Sequence, residues 1–424
     1  MHEVRLIGVE SRNATVVRSL AFPVSDAPPE LNWLMSEFRI IVNKSIRIAV
    51  SQDIRSRYRL TSAAYRQLSA EHSIHKQYIP SAFEVAMGAL KAYRRRLRKG
   101  KQGSIPYTTR RMLKAENQSY RLDRETGRLR IPLRRGEMAV ILQLTLSDWH
   151  RSILSDPSWS LGSLTVVPGR GIIAIRKDAP ECYEPESALA FDTNEDSLDG
   201  VFAKGEEASL TSVAFSGVRQ VQATHFRRRR RLARKKANDR RVQRMLLARE
   251  GKRERTRVKQ RLHIVSKGIV KEAKGRHAAI VLEDLTLHGS GGRSRRMNRR
   301  LSSWPRSEIH RQIGYKAALE GVPVIKVNPR YTSKTCPACG ALRRDRVGKV
   351  FDCVCGWSMD RQHNAALNIL KTALASDEDL TRAVRFQPGA LRDDMVIPLY
   401  DLQALPEGAR EESSGDELRC PDGG

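Results

Sequence analysis

The sequence predicts a multidomain chain of mixed class, part α/β and part β, and three observations carry that prediction. Short apolar strands alternate with segments of helical period along most of the 424 residues. Hairpin signals cluster in the N-terminal part of the chain. Further on, four cysteines come in two tight pairs, Cys336/Cys339 and Cys353/Cys355, a spacing that suits a small metal-held module.

Taken in order, "EVRLIGVE" and "ATVVRSLAF" read as paired strands. "LNWLMSEFRIIVNKSIRIAV" carries Leu31, Leu34, Phe38, Ile41, Val42 and Ile46 at helical spacing. "SAFEVAMGALKAYRRRLRKG" is a second helix, apolar at first and basic at its end, stopped by Gly100. "YRLDRETGRLRIPL" turns near Thr126-Gly127, and "LTVVPGRGIIAIRK" turns at Pro168-Gly169, so both are hairpins. Residues 1–180 therefore read as a β module with a helical insertion. Beyond it, "ALAFDTNEDSLDGVFA" is a strand reaching Asp192, a polar turn and a second strand, and "SLTSVAFSG" adds a third. "RHAAIVLEDLTL" is a buried strand ending at Glu283, "GSGGRSRRMNRR" a flexible basic loop without Walker spacing, "SSWPRSEIHRQIGYKAALEG" a helix and "VPVIKVNP" another strand. A helix also opens around Asp360 and Asn364, and the acidic residues from Ser376 on lack periodicity and are predicted to be disordered.

The 77 Lys and Arg against 47 Asp and Glu leave a formal net charge of +30, with a pI near 10.4. An excess of that size serves most simply to neutralise phosphates. It is also uneven: residues 227–261 hold 18 Lys or Arg and three acids, whereas 376–424 hold 12 acids and five bases. Arg227, Arg228, Arg229, Arg230, Arg231, Arg234, Lys235, Lys236, Arg240 and Arg241 are the candidate nucleic-acid contacts. No apolar run approaches the ~18 residues of a membrane span. The N-terminus lacks signal-peptide order, and clustered cysteines suit a reducing compartment, so the expected location is cytoplasmic.

Four thiolates enclose Zn²⁺ tetrahedrally, and the glycine after each pair, Gly340 and Gly356, lets the backbone turn its amides toward sulfur. Four protein ligands leave no open position, so the zinc expected here is structural. Asp192 and Glu283 each end an apolar strand, and Asp360 heads a helix. Singly such acids are turn formers or caps. Together they can converge at one edge of a mixed sheet, where two Mg²⁺ ions about 3.5–4 Å apart would offset their charge and support phosphodiester hydrolysis.

The segments "FDTNED", "IVLEDL", "YKAALEGVPVIKVNPRYTSKTCPACG" and "DRQHNAALNI" resemble the RuvC and zinc-ribbon motifs of TnpB, the RNA-guided nuclease family of insertion sequences and presumed ancestor of type V CRISPR effectors. The similarity runs from about Ala188 to Leu370. It implies an RNase H-like (RuvC) nuclease domain over 186–330 and 357–375 with a zinc ribbon inserted at 331–356. It also implies a β wedge-like module over 1–26 and 104–180, interrupted by a helical recognition insertion at 27–103, and leaves 376–424 as the acidic tail. By the same resemblance Asp192, Glu283 and Asp360 would be the Mg²⁺-binding triad, and the basic stretch would lie beside a guide–target duplex. The partners would be a guide RNA and a target DNA; oligomeric state is left open.

One position departs from the family pattern. The third motif commonly reads Asp-Arg-Asp-x-Asn, and here its third place is Gln362, an amide in place of an acid. Asp360 is then expected to serve alone. The leading expectation is a Mg²⁺-dependent RNA-guided DNA endonuclease, with the guide reading sequence and the protein reading a short flanking motif. The alternatives are a nuclease-deficient RNA-guided DNA-binding protein acting as a repressor, a type V CRISPR effector, and an RNA-binding zinc-ribbon protein without a DNA target.

Overall fold

The computed structural model describes residues 5–7, 15–24, 27–134, 138–235, 238–285, 294–343, 348–386 and 400–401. The chain divides into two compact units, residues 15–178 and residues 1–14 with 179–424.

A short first strand, β1 (Arg5–Ile7), belongs to the second of these units and is taken up below. The 15–178 unit starts with β2 (Thr15–Val24) and three helices, α1 (Pro29–Ser51), α2 (Arg57–Glu71) and α3 (Tyr78–Arg98). The stripe predicted for α1 is its buried face, with Leu31, Leu34, Phe38, Ile41, Val42 and Ile46 all withdrawn from solvent. Helix α2 was not foreseen, because its buried stripe is only Leu60, Ala64 and Leu68 in a polar, arginine-bearing segment. Then come β3 (Leu113–Ala115), β4 (Arg121–Leu122), β5 (Arg128–Pro132), β6 (Ala139–Gln143), α4 (Asp148–Ser155), β7 (Ser160–Val167) and β8 (Gly169–Asp178). Both predicted hairpins form: β4 pairs with β5, and β7 with β8. The strands make a four-stranded sheet, β2-β8-β7-β3, and a three-stranded one, β4-β5-β6.

The other unit holds β9 (Ser187–Thr193), β10 (Ser197–Lys204), β11 (Glu207–Ala214), α5 (Val218–Lys235) and α6 (Leu247–Gly275). These are followed by β12 (Ala278–Glu283), α7 (Arg295–Ser303), α8 (Arg306–Glu320), β13 (Val324–Val327), β14 (Val350–Asp352), β15 (Ser358–Asp360), α9 (Arg361–Leu374), α10 (Glu378–Ala383) and β16 (Tyr400–Asp401). Its main sheet runs β1-β13-β12-β9-β10-β11-β16. β9, β10 and β11 form an antiparallel meander, while β12 runs parallel to β9, and β13 parallel to β12. One face packs Leu189, Phe191, Ile280 and Leu282 against α6 and α8. The other packs Ala188, Ala190, Ala279 and Val281 against Ala366, Leu367, Ile369 and Leu370 of α9.

Three expectations change. β1 does not pair with β2; it pairs antiparallel with β13, and β2 pairs with β8 over its whole length. The nearest strand in sequence is not the one whose edge was open. The second half of "GSGGRSRRMNRR" starts the helix Arg295–Ser303, capped by the Ser294 side chain, and residues 286–293 lie outside the described residues. Residues 377–386 depart from the expected tail, because α10 and the residues after it bury Leu380, Val384 and Phe386 in the α9 layer. Residues 387–399 and 402–424 lie outside the described residues.

Candidate metal-binding and nucleic-acid site

Side chains on a strand alternate between faces. Ala188 and Ala190 face α9, so Asp192, two residues on, is presented to that same face at the C-terminal end of β9. The same count from Ala279 and Val281 puts Glu283 on the α9 face at the end of β12. The parallel register that pairs Leu282 with Phe191 continues by one residue to set Glu283 beside Asp192. On the other side, Asp192 stands opposite Asp199 of β10. Three acids thus form a row across three neighbouring strands.

Glu283 is buried and accepts a hydrogen bond from the Thr332 hydroxyl at 2.8 Å. The Asn194 side-chain amide donates to Asp192 Oδ2 at 3.3 Å and to Asp199 Oδ2 at 2.8 Å. Burial pushes the Asp192 and Glu283 carboxyls above the ordinary carboxylate range. The charge of Asp199 adds to the shift of Asp192 against the Asn194 hydrogen bond, and Asp192 adds to that of Glu283. Two hard oxygen donors side by side, each disfavouring the other's ionisation, are a donor set that a divalent cation would satisfy.

Asp360 does not join them. Its carboxylate caps α9, accepting from the backbone N–H of Gln362 at 2.9 Å and of His363 at 3.4 Å. The cavity over the acid pair, about 520 Å³, is lined by Asp192, Glu283, Trp304, Lys334, Arg361 and Gln362, and Asp360 is not on its wall. The geometry does not bring Asp360 to the pair: of this motif Arg361 and Gln362 line the cavity, while Asp360 Oδ1 caps the helix end. Among the described residues, the only group of three or more His, Cys, Asp or Glu within metal-binding reach of one another is the cysteine set.

A larger cavity, about 960 Å³, opens between α5, α6 and α7, with Phe226, Arg227, Arg229, Arg255, Arg299 and Trp304 in its wall. Arg299 stacks on the Phe226 ring at 4.1 Å, and Arg230 lies 5.9 Å from it. A smaller pocket, lined by Asn194, Arg219, Arg300, Trp304 and Gln362 among others, shares walls with both cavities. A basic, aromatic trench therefore leads to the acid pair, with Trp304 at every stage and its indole N–H held by the Asn194 carbonyl at 2.7 Å. Of the predicted contacts, Arg227, Arg228, Arg230, Arg231, Arg234, Arg240 and Arg241 are exposed. Arg229 pairs with Glu254, Arg228 lies 3.8 Å from Glu250, and Arg241 lies 3.8 Å from Asp239. The Lys235 side chain and all of Lys236 lie outside the described residues.

The four cysteines converge. Cys336 and Cys355 sulfurs are 3.7 Å apart, Cys339 and Cys353 sulfurs 3.5 Å, and all four lie within 4.8 Å of one another. Four thiolates on a tetrahedral metal at about 2.3 Å would be about 3.8 Å apart, so the cluster fits a metal ion with little adjustment. Gly340 and Gly356 take φ of +77° and +92°, the left-handed conformation expected at each knuckle. The module is tied to α9 by Asn364, whose amide donates to the Thr335 carbonyl at 3.0 Å, and by Asn368, which donates to Thr332 and Thr335 carbonyls at 2.8 and 2.7 Å.

Sequence reasoning passed over Asp199, Thr332 and Trp304. For Asp199 a signal existed: it lies two residues before Val201 on β10, in phase with the α9 face. Thr332 and Trp304 sit in irregular segments, where no period marks a side chain.

Comparison with known proteins agrees with this architecture. The model of the "Cas12f1-like, TNB domain" family matches residues 307–369, and that of the "Uncharacterized protein MJ0013 family" matches residues 34–132. The chain is 26% identical over 245 residues to the TnpB-like protein MJ0751 of Methanocaldococcus jannaschii, covering 55% of this chain and 86% of that protein. It is 37% identical over 103 residues to the CRISPR-associated endodeoxyribonuclease Cas12f1 of Sulfoacidibacillus thermotolerans, covering 24% of this chain but only 22% of that one. A solved structure, "Cryo-EM structure of the Cas12f1-sgRNA-target DNA complex", shares the fold at a TM-score of 0.56 and 15% identity, over 80% of this chain and 81% of the other. The mixed α/β architecture, the cysteine module and these similarities support a relation between this chain and the TnpB proteins and compact type V effectors.

Proposed function

We propose that this chain is an RNA-guided DNA endonuclease whose nuclease domain is RuvC-like and whose cation centre is built on Asp192 and Glu283. The observation that carries the reading is the side-by-side placement of those two strand-end acids at the end of a basic trench. In this reading the 15–178 unit is the β wedge with its helical recognition insertion, and the cysteine module is a zinc ribbon with a structural Zn²⁺.

Mg²⁺ bound at the acid pair would supply an activated water and charge neutralisation for the leaving 3′ oxygen. The protein's part is orientation. Thr332 and Asn194 fix the rotamers of Glu283 and Asp192 by hydrogen bonds. Lys334 and Arg361 on the cavity wall neutralise the scissile phosphate and draw the strand inward. Phe226 and Trp304 give unpaired bases surfaces to stack on along the trench.

A second reading, a nuclease-deficient RNA-guided DNA-binding protein, is favoured by one observation: α9 brings Arg361 and the amide Gln362 to the cavity wall but no acid, while Asp360 is held as a cap. The test is to sequence the RNA that co-purifies and to assay matched duplex DNA in Mg²⁺. Cleavage that disappears in Asp192→Ala supports the nuclease; guide-dependent duplex binding without cleavage establishes the second reading.

An acid whose pKa rises on folding keeps its proton longer in the folded state. The cation-free protein should therefore lose stability as pH climbs from about 4 through neutrality, and Mg²⁺ should restore it at the upper end. Melting temperatures near pH 5 and pH 8, with and without Mg²⁺, check this, and a Mg²⁺ effect of equal size at both would count against it. Replacing Arg227, Arg231 and Arg234 together should weaken nucleic-acid binding and reduce its salt slope by about one for each phosphate no longer neutralised. An unchanged slope would make these charges a solvated face only.

A further inference from the structure

Asp199 has no part in the chemistry assigned to Asp192 and Glu283, yet its position is costly. It is 5% exposed and directly opposite Asp192, and its hydrogen-bond donors are the neutral groups Ser197 Oγ at 2.7 Å, Asn194 Nδ2 at 2.8 Å and Ser212 Oγ. A buried carboxylate held only by neutral donors, beside two more acids, destabilises the fold unless a cation is close enough to offset its field. A merely structural role on β10 would be met as well by an uncharged side chain.

We propose that Asp199 is a positioning residue of the cation centre, supplying through Asn194 the third negative charge that Gln362 does not provide. This rests on the reading of Asp192 and Glu283 as a cation-binding pair. Asn194 donates from one side-chain nitrogen to both aspartates, so Asp199 holds the amide that in turn holds Asp192 Oδ2. Asp199 is absent from the cavity wall and its two oxygens are occupied by three donors, so it acts from behind Asp192 without touching the cation. The row Glu283–Asp192–Asp199 gives the centre three carboxylates from three strands, none of them drawn from α9.

The test uses Mn²⁺ as the probe, titrated into the full-length chain and followed by electron paramagnetic resonance, with melting temperatures of the cation-free proteins in parallel. Asp199→Asn should lower Mn²⁺ affinity about tenfold, the scale of an outer-shell loss. The cation-free melting temperature should stay the same or rise, because a buried charge has gone. Asn194→Ala should lower the affinity likewise, and adding Gln362→Asp to Asp199→Asn should bring it back. A purely structural residue would behave otherwise: affinity would fall only in step with a falling melting temperature, which would overturn the proposal. Mn²⁺ binding lost in Asp192→Ala but unchanged in Asp199→Asn would overturn this inference alone. Binding indifferent to Asp192→Ala would refute the acid pair as a cation site, and this inference with it.

Discussion

Restoring a carboxylate with Gln362→Asp is expected to raise the rate of guide-matched DNA cleavage in Mg²⁺ by about 100-fold or more, since even an outer-shell partner of a metal is worth 10–100-fold. Gln362 already lines the cavity that holds Asp192 and Glu283. An Asp there would add an anionic ligand from the first turn of α9, where the positive end of the helix dipole favours a negative charge. Asp360 cannot take over this role cheaply. Its Oδ1 already accepts from the Gln362 and His363 amides, so turning that oxygen toward the pair would leave the end of α9 uncapped. Asp360→Ala should accordingly cost about 1 kcal/mol of stability, as cap losses do, with little specific effect on cleavage. Single-turnover rates of the wild type and the two variants, loaded with the same RNA, decide the matter. A rate lost in Asp360→Ala and unmoved in Gln362→Asp would reverse the assignment.

The second large effect concerns the cysteine module. Cys336→Ser should reduce bound zinc from about one ion per chain to near none, because a hydroxyl at that place cannot supply a thiolate. Cys336 is the buried member of the four, so its loss also opens the base of the knuckle. Structural zinc is worth about 10–16 kcal/mol in small zinc-dependent peptides, and the module here has little apolar core of its own to replace it. Phe351 is its one fully buried large side chain among the described residues. The disturbance should spread to α9, since Asn364 and Asn368 hold carbonyls of residues leading into the module. Elemental analysis reads the first effect, and amide exchange over Arg361–Leu370 reads the second. Full zinc content in the variant, or a zinc-free wild type of unchanged stability, would sink the assignment.

What the sequence could reveal depended on whether a signal was local. Strands ending in Asp192 and Glu283 were legible because an apolar run closing on an acid is read within a few residues. Their being neighbours was not, since it follows from β12 lying beside β9 across nearly 90 intervening residues. The same non-locality misassigned β1, whose partner β13 lies at the far end of the chain. The place of Asp360 was hidden for another reason. A helix-start acid can cap or can face a ligand, and the choice is made by a rotation of one residue that composition does not record. Asp199 was passed over because an acid in mid-strand reads as surface until the face it occupies is known to be covered by α9.

The 15–178 unit opens and closes at one place: Thr15 stands opposite Asp178, with the two strands paired from that point inward. Its ends are thus already joined across a sheet, and the chain enters and leaves it at that one place. In architectural terms it is a cassette threaded between β1 and β9. Insertions or deletions within it can leave its own two ends paired and the order of the seven-stranded sheet as it is.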